Sequence, residues 1–207
     1  MAENTQIKTV EHDGRRWYHV NGVYMPSVTT VISEFLTDFS KVAPDILERA
    51  CAFGTAVHDA TTLEDQGRLD WDRLDANLKP CVLAWNDCKK RHKIKIMAME
   101  EAIYSRKFKY AGKFDRIGLV DGARAVIEIK TRKYNPVCES LQTAAYMQAF
   151  NEMHPEARVC RRFVCELQLG VESNPPFYEV KGPEHLQVFL SALTLFRWKN
   201  IQPKSKG

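Results

Sequence analysis

Two strand candidates, Gly112 to Val120 and Ala123 to Thr131, flank the dipeptide Asp121-Gly122, and no other stretch limits the fold so tightly. Asp-Gly between β-rich runs favours a two-residue turn with positive φ at both positions, which joins neighbouring antiparallel strands. In that register Val120 faces Ala123, so Asp115 faces Glu128, and Lys130 lies on the face of Glu128. Two carboxylates opposed on a sheet repel by up to about 1 kcal/mol. A divalent cation removes the conflict. Mg²⁺ prefers oxygen ligands and keeps positions for water and phosphate, and a lysine beside it can orient a nucleophile or stabilise charge developing on a phosphate. The hairpin alone also permits a plainer reading, in which Asp115 and Glu128 form surface ion pairs with Lys113, Arg116 or Lys130.

The remaining elements are read from period and punctuation. Asn21-Gly22 joins Arg16–Val20 to Val23–Met25 in an earlier hairpin, and Ser27 is placed to cap a helix over Val28–Leu36. Pro44-Asp45 opens a helix to about Glu64, with Ile46, Ala50, Phe53 and Val57 at helical spacing; a further helical region from about Asp72 to His92 is interrupted at Pro80. After Lys93 the period shortens to that of a strand, which continues through Ile103-Tyr104. Val137–Met153 then reads as a helix, Arg158–Leu169 and Phe177–Lys181 as strands, and Glu184–Trp198 as a closing helix. This order predicts an α/β (α+β) fold with a central mixed sheet flanked by helices. The 207 residues suit a single domain, 1–207, with its core over about 16–200 and a disordered tail at 202–207.

Composition excludes several classes. With 44% hydrophobic and 27% charged residues the chain is neither disordered, collagen-like nor a coiled coil. No apolar run approaches the roughly 20 residues of a membrane span, and MAENTQIKTV lacks a signal peptide's apolar stretch, so a cytoplasmic protein is expected. Cys51, Cys81, Cys88, Cys138, Cys160 and Cys165 include no closely spaced pair of the kind that holds zinc, and are expected to be reduced. The net charge of +4 conceals a polarity: Lys89 to Lys133 holds 14 Lys or Arg against 5 Asp or Glu, while the remainder holds 16 against 21. In the basic segment Arg106, Lys107, Lys109 and Lys113 alternate with Tyr104, Phe108, Tyr110 and Phe114, and Arg132, Lys133 and Tyr134 follow the second hairpin strand. Cations that track phosphates, with aromatics that stack on unpaired bases, suit single-stranded nucleic acid. Alternatively, Phe108 and Phe114 belong to the core and only the charges face DNA.

Gly112-Lys113-Phe114-Asp115, then Glu128-Ile129-Lys130-Thr131, then Gln142 and Tyr146, resembles the core of the PD-(D/E)XK nuclease superfamily, and within it the RecB-like exonuclease branch. Gly54-Thr55-Ala56-Val57-His58 resembles that branch's helix-borne Gly-x-x-x-His motif, and Pro26-Ser27-Val28-Thr29-Thr30 a segment that often precedes it. The resemblance implies a restriction-endonuclease-like fold and Mg²⁺ or Mn²⁺, one or two ions, bound by His58, Asp115, Glu128 and the carbonyl of Ile129. Asp115, Glu128 and Lys130 are then the catalytic residues. Glu100 corresponds to the family's upstream acid; Glu101 is its rival, and strand alternation does not choose between them. Gln142 and Tyr146, one helical turn apart, touch substrate or hold the lysine. Arg106, Lys107, Lys109, Lys113, Arg132 and Lys133 are candidate substrate contacts. No iron–sulfur cluster is expected, because the cysteines do not follow the branch's four-cysteine arrangement.

The resemblance implies hydrolysis of DNA phosphodiesters by a metal-activated water, at ends more than at internal sequences, in recombination or repair. A stand-alone phage or prophage exonuclease is the implied setting, in a bacterial or infected-host cytoplasm, with DNA ends, single-stranded ones included, and a recombinase or single-strand-binding protein as partners. The principal alternative is a catalytically idle DNA-end-binding or recombination-assembly protein on the same fold. An RNA- or nucleotide-directed metal hydrolase is a third.

Overall fold

Two dipeptides with positive φ, Asp13-Gly14 and Asn21-Gly22, fold the N-terminal residues into a meander of β1 (Ile7–His12), β2 (Arg15–Val20) and β3 (Val23–Pro26). The computed structural model describes residues 6–201, so the tail expected at 202–207 lies outside the described residues. Then follow α1 (Val28–Leu36), α2 (Pro44–Asp65), α3 (Lys79–Arg91), β4 (Lys95–Met99), β5 (Ala102–Ser105), β6 (Tyr110–Lys113), β7 (Arg116–Val120), β8 (Ala123–Lys130), α4 (Pro136–Met153), β9 (Arg161–Glu166), β10 (Phe177–Glu179) and α5 (Glu184–Ile201).

The central sheet has the order β10-β9-β8-β7-β4. It is mixed, as expected: β8 and β9 run parallel and the other pairs antiparallel. A parallel pair needs a crossover, and α4 supplies it. The side chain of Asn135 starts that helix by accepting the N–H groups of Val137 and Cys138, ahead of Pro136 in the first turn.

Both faces of β8 are covered, and its period of two sorts the residues that matter. Ala125, Ile127 and Ile129 pack with Val57 of α2 and Cys81, Ala84 and Trp85 of α3. Val126 packs on the other face with residues of α1, α4 and α5. Glu128 and Lys130 share the parity of Val126 and therefore point toward α4. Burying Ile127 and Ile129 contributes about 1.5–3 kcal/mol each, enough to hold the strand while its other face carries charge.

The structure departs from the predicted elements at five places. The strand expected from Lys93 through Tyr104 is two strands in different sheets, β4 in the central one and β5 paired with β6. The chain turns at Glu100, which has φ +54 and donates its N–H to the carbonyl of Asp115 at 3.0 Å. Gly112–Val120 is likewise divided into β6 and β7 at Phe114-Asp115. Pro80 does not interrupt a helix but lies in the first turn of α3, where a missing N–H has no consequence, and residues 72–78 form turns. On α2, Val57 is buried but Ile46 is 53% exposed and Ala50 is exposed, so the helical spacing of the first half does not mark core. Ser27 occupies the N-cap position of α1, yet its hydroxyl bonds Thr29 Oγ1 at 2.9 Å rather than a backbone N–H.

Candidate active site

The expected opposition of Asp115 and Glu128 takes a modified form. The hairpin register holds from Val120↔Ala123 to Arg116↔Ile127, with φ 48 and 85 at Asp121 and Gly122, and the ladder then ends. Asp115 continues it with its side chain: Ile129 N–H donates to Asp115 Oδ2 at 2.7 Å. That bond fixes one carboxylate oxygen and turns Oδ1 toward α2. There His58 Nδ1 lies 3.4 Å from Asp115 Oδ1 and 3.5 Å from Glu100 Oε1. Ligand atoms of His58, Glu100 and Asp115 all lie within 4.8 Å of one another, the spacing of a metal cluster. Glu100, not Glu101, faces the cluster; its carboxylate also pairs with Lys113 at 2.6 Å, whereas Glu101 is exposed.

Glu128 and Lys130 form the second half of the site. Lys130 Nζ donates to Glu128 Oε1 at 2.8 Å and to Gln142 Oε1 at 3.2 Å. Gln142 Nε2 donates to Glu128 Oε1 at 2.6 Å and lies 3.2 Å from Tyr146 Oη. One oxygen of Glu128 thus receives two donors. Its Oε2 is buried with no partner among the described residues. Leaving such an acceptor dry costs about 1–3 kcal/mol, more for a charged group. The arrangement fits a cation: a buried, unpartnered carboxylate oxygen stands beside a three-residue cluster of His and carboxylate donors suited to a divalent ion.

Two glycines permit the close packing. A Cβ at Gly54 would sit 3.3 Å from Thr131 Oγ1, so this position lets α2 approach the end of β8 and carry His58 to the cluster. A Cβ at Gly112 would sit 2.5 Å from Tyr146 Cε1. Gly112→Ala is therefore expected to destabilise the protein by about 1–3 kcal/mol through overpacking. Thermal unfolding would show this, and cleavage measured well below the new Tm would fall as well, because Tyr146 moves with Gln142.

Charge and burial oppose each other throughout. At His58, burial alone would lower the pKa, but Asp115, Glu100 and Glu128 outweigh it and raise it to about 9, so the imidazole carries a proton that a metal ion must displace. Burial works against ionisation of Glu100, yet His58 and Lys113 bring it down to about 2. Glu128 moves the other way: burial and the Asp115 carboxylate push it up despite Lys130. Lys130 loses to burial but is raised overall by Glu128 and Asp115, and keeps its charge. Burial, reinforced by Glu128, holds the Tyr146 phenol well above its usual range and therefore protonated.

The basic segment is distributed differently from the sequence reading. Tyr104, Tyr110 and Phe114 are buried, and Phe108 packs against the core, so these rings do not offer a stacking surface. Arg106, Lys107 and Lys109 lie on the β5–β6 turn, which Arg197 Nη2 ties down through the carbonyls of Phe108 and Lys109. Three residues of β6 separate Lys109 from Lys113, so four strand steps place the turn roughly 13 Å from the carboxylate end. Lys113 pairs with Glu100 and Arg132 with Glu139, while Lys133 is exposed. Asp65 does not stand out in the sequence, and Arg116 enters there only as a surface ion-pair partner of Asp115 and Glu128; both side chains are fully buried beside the cluster. The only signal was parity, since Arg116, next to Asp115 in an extended run, points to the opposite face.

A family model described as the PD-(D/E)XK nuclease superfamily matches residues 31–193. No curated protein is similar enough in sequence to match the chain. Among solved structures the chain is similar to a "Putative exonuclease" from Eubacterium rectale, with 14% sequence identity and a TM-score of 0.48 over 71% of this chain. The chain spans 65% of that protein's length.

Proposed function

The chain belongs to the PD-(D/E)XK nuclease superfamily, a family of phosphodiester hydrolases, and from that premise we propose that it is a Mg²⁺- or Mn²⁺-dependent deoxyribonuclease acting on DNA ends. The observation that carries the reading is the Glu128 carboxylate, with one oxygen held by Lys130 and Gln142 and the other buried and unpartnered beside Asp115. His58, Glu100, Asp115 and Glu128, with the carbonyl of Ile129, would hold the cation. When bound, such an ion lowers the pKa of a water and offsets charge on a phosphate.

The chain's own residues supply the rest. An ammonium has three N–H donors, and Lys130 spends two on Glu128 and Gln142. The third is left for the attacking water or the scissile phosphate, where a fixed donor acts without reorganisation. Gln142 and Tyr146 are both buried, which favours holding the lysine and Glu128 over touching substrate. Lys133 and the β5–β6 turn remain as contacts for DNA beyond the scissile bond. Preference for ends is supported by the ordered motifs resembling the RecB-like branch.

End-labelled linear DNA and closed circular DNA, each incubated with Mg²⁺ or Mn²⁺, test the proposal. Linear DNA is expected to be digested and circular DNA spared, with EDTA abolishing both outcomes' difference. Cleavage that persists in EDTA overturns metal dependence, and nicking of the circle overturns the preference for ends.

A further inference from the structure

Arg116 is fully buried between the central sheet and α2. An arginine stripped of water costs several kcal/mol unless its charge is paired. Asp65, the last residue of α2, meets that need: Arg116 Nε donates to Asp65 Oδ2 at 2.7 Å. Asp65 also accepts from Lys89 Nζ at 2.6 Å and from Trp85 Nε1, so the anchor is itself saturated.

Neutralisation alone would require nothing more, yet the guanidinium reaches further. Nη1 donates to the carbonyl of Asp115 at 2.8 Å and to Glu100 Oε1 at 3.2 Å. Nη2 donates to Thr61 Oγ1 at 3.2 Å and Thr62 Oγ1 at 2.9 Å, in the turn of α2 that follows His58. One planar group therefore ties together the three segments that carry His58, Glu100 and Asp115. Glu100 needs such a tie, because φ +54 is unfavourable for a residue with a side chain and persists only where the surroundings impose it. A rigid five-donor fork does this; a lysine ammonium in the same space cannot reach all of these acceptors.

We infer that Arg116, anchored by Asp65, is a positioning residue that sets the spacing of the His58, Glu100 and Asp115 donor atoms for the cation. The inference rests on the metal-dependent reading of the site. It acts through geometry and requires no contact between Arg116 and DNA.

The test is Mn²⁺ binding to the metal-free protein, followed by loss of the free-ion electron paramagnetic resonance signal, for wild type, Arg116→Lys, Glu100→Ala and the double variant. Arg116→Lys is expected to weaken Mn²⁺ binding about tenfold, the range for removing a group that orients a ligand, with metal-free DNA affinity unchanged. In the Glu100→Ala background the same replacement weakens binding markedly less, because the two changes are coupled. A merely structural role would leave the loss undiminished there. Wild-type Mn²⁺ affinity in folded Arg116→Lys, or a fully additive loss, overturns the inference. If Arg116→Lys does not fold, Thr62→Val removes one acceptor of the fork, and about a threefold loss is expected; unchanged binding there overturns it equally. A wild-type protein that neither binds Mn²⁺ nor cleaves DNA defeats the proposed function as well, whereas one that does both while Arg116→Lys matches it defeats this inference alone.

Discussion

Lys130→Met is expected to lower the single-turnover rate of DNA cleavage by about 10²- to 10³-fold, the loss typical of removing one donor aimed at developing charge. The replacement keeps most of the side chain's volume against β8 and removes only the ammonium. Two of that ammonium's bonds are internal, to Glu128 Oε1 and Gln142 Oε1, which leaves its third N–H for the proposed reaction. DNA affinity should change little, since the group is mostly buried and the exposed cations lie elsewhere. Rates measured at saturating Mg²⁺ with circular dichroism to verify folding give the comparison. Cleavage within a few-fold of wild type would remove Lys130 from the chemistry.

Glu128→Gln is expected to move activity and stability in opposite directions. The amide is nearly isosteric, and its carbonyl oxygen can keep the bonds from Lys130 and Gln142. What changes is the other position. A buried carboxylate oxygen with no partner, beside the like-charged Asp115, becomes an uncharged NH₂ that can donate. Without metal the variant should gain about 1 kcal/mol, or about 2–4 °C in Tm for a chain of this size. Mn²⁺ should raise the wild-type Tm by stabilising the folded state and leave the variant's nearly unmoved. Cleavage should fall by about 10²-fold or more, as for loss of a charge-stabilising group. Acidic residues retained at a cost in stability are those a catalytic site needs; a variant that loses stability without metal would show that Glu128 is there for the fold.

Much of the site was legible because one dipeptide determines a register. Asp121-Gly122 places Glu128 and Lys130 on the α4 face, and the structure brings Gln142 and Tyr146 to them. Helix α1 was legible at Ser27, although the hydroxyl does not make the expected cap bond, and α4 was legible to within a residue of its start. The missing parts depend on long-range bonds. That Asp115 leaves the ladder and captures the Ile129 N–H is invisible to alternation, as is the positive φ at Glu100 that divides β4 from β5. Nor does a charge count distinguish cations that face water from those that face acids: Lys113, Arg116 and Lys130 pair with Glu100, Asp65 and Glu128, and the last two cations do so in the interior. The aromatics between them were needed for the core, and helical spacing on α2 overstated how much of that helix is packed.

The most direct measurement of the central claim is the position of Mn²⁺ in a crystal of the protein, located by anomalous scattering. A peak bounded by His58, Glu100, Asp115 and Glu128 is expected, with the unpartnered Oε2 of Glu128 among its neighbours. A crystal grown in Mn²⁺ that shows the ion elsewhere, with Glu128 Oε2 still buried and unpartnered, would contradict it.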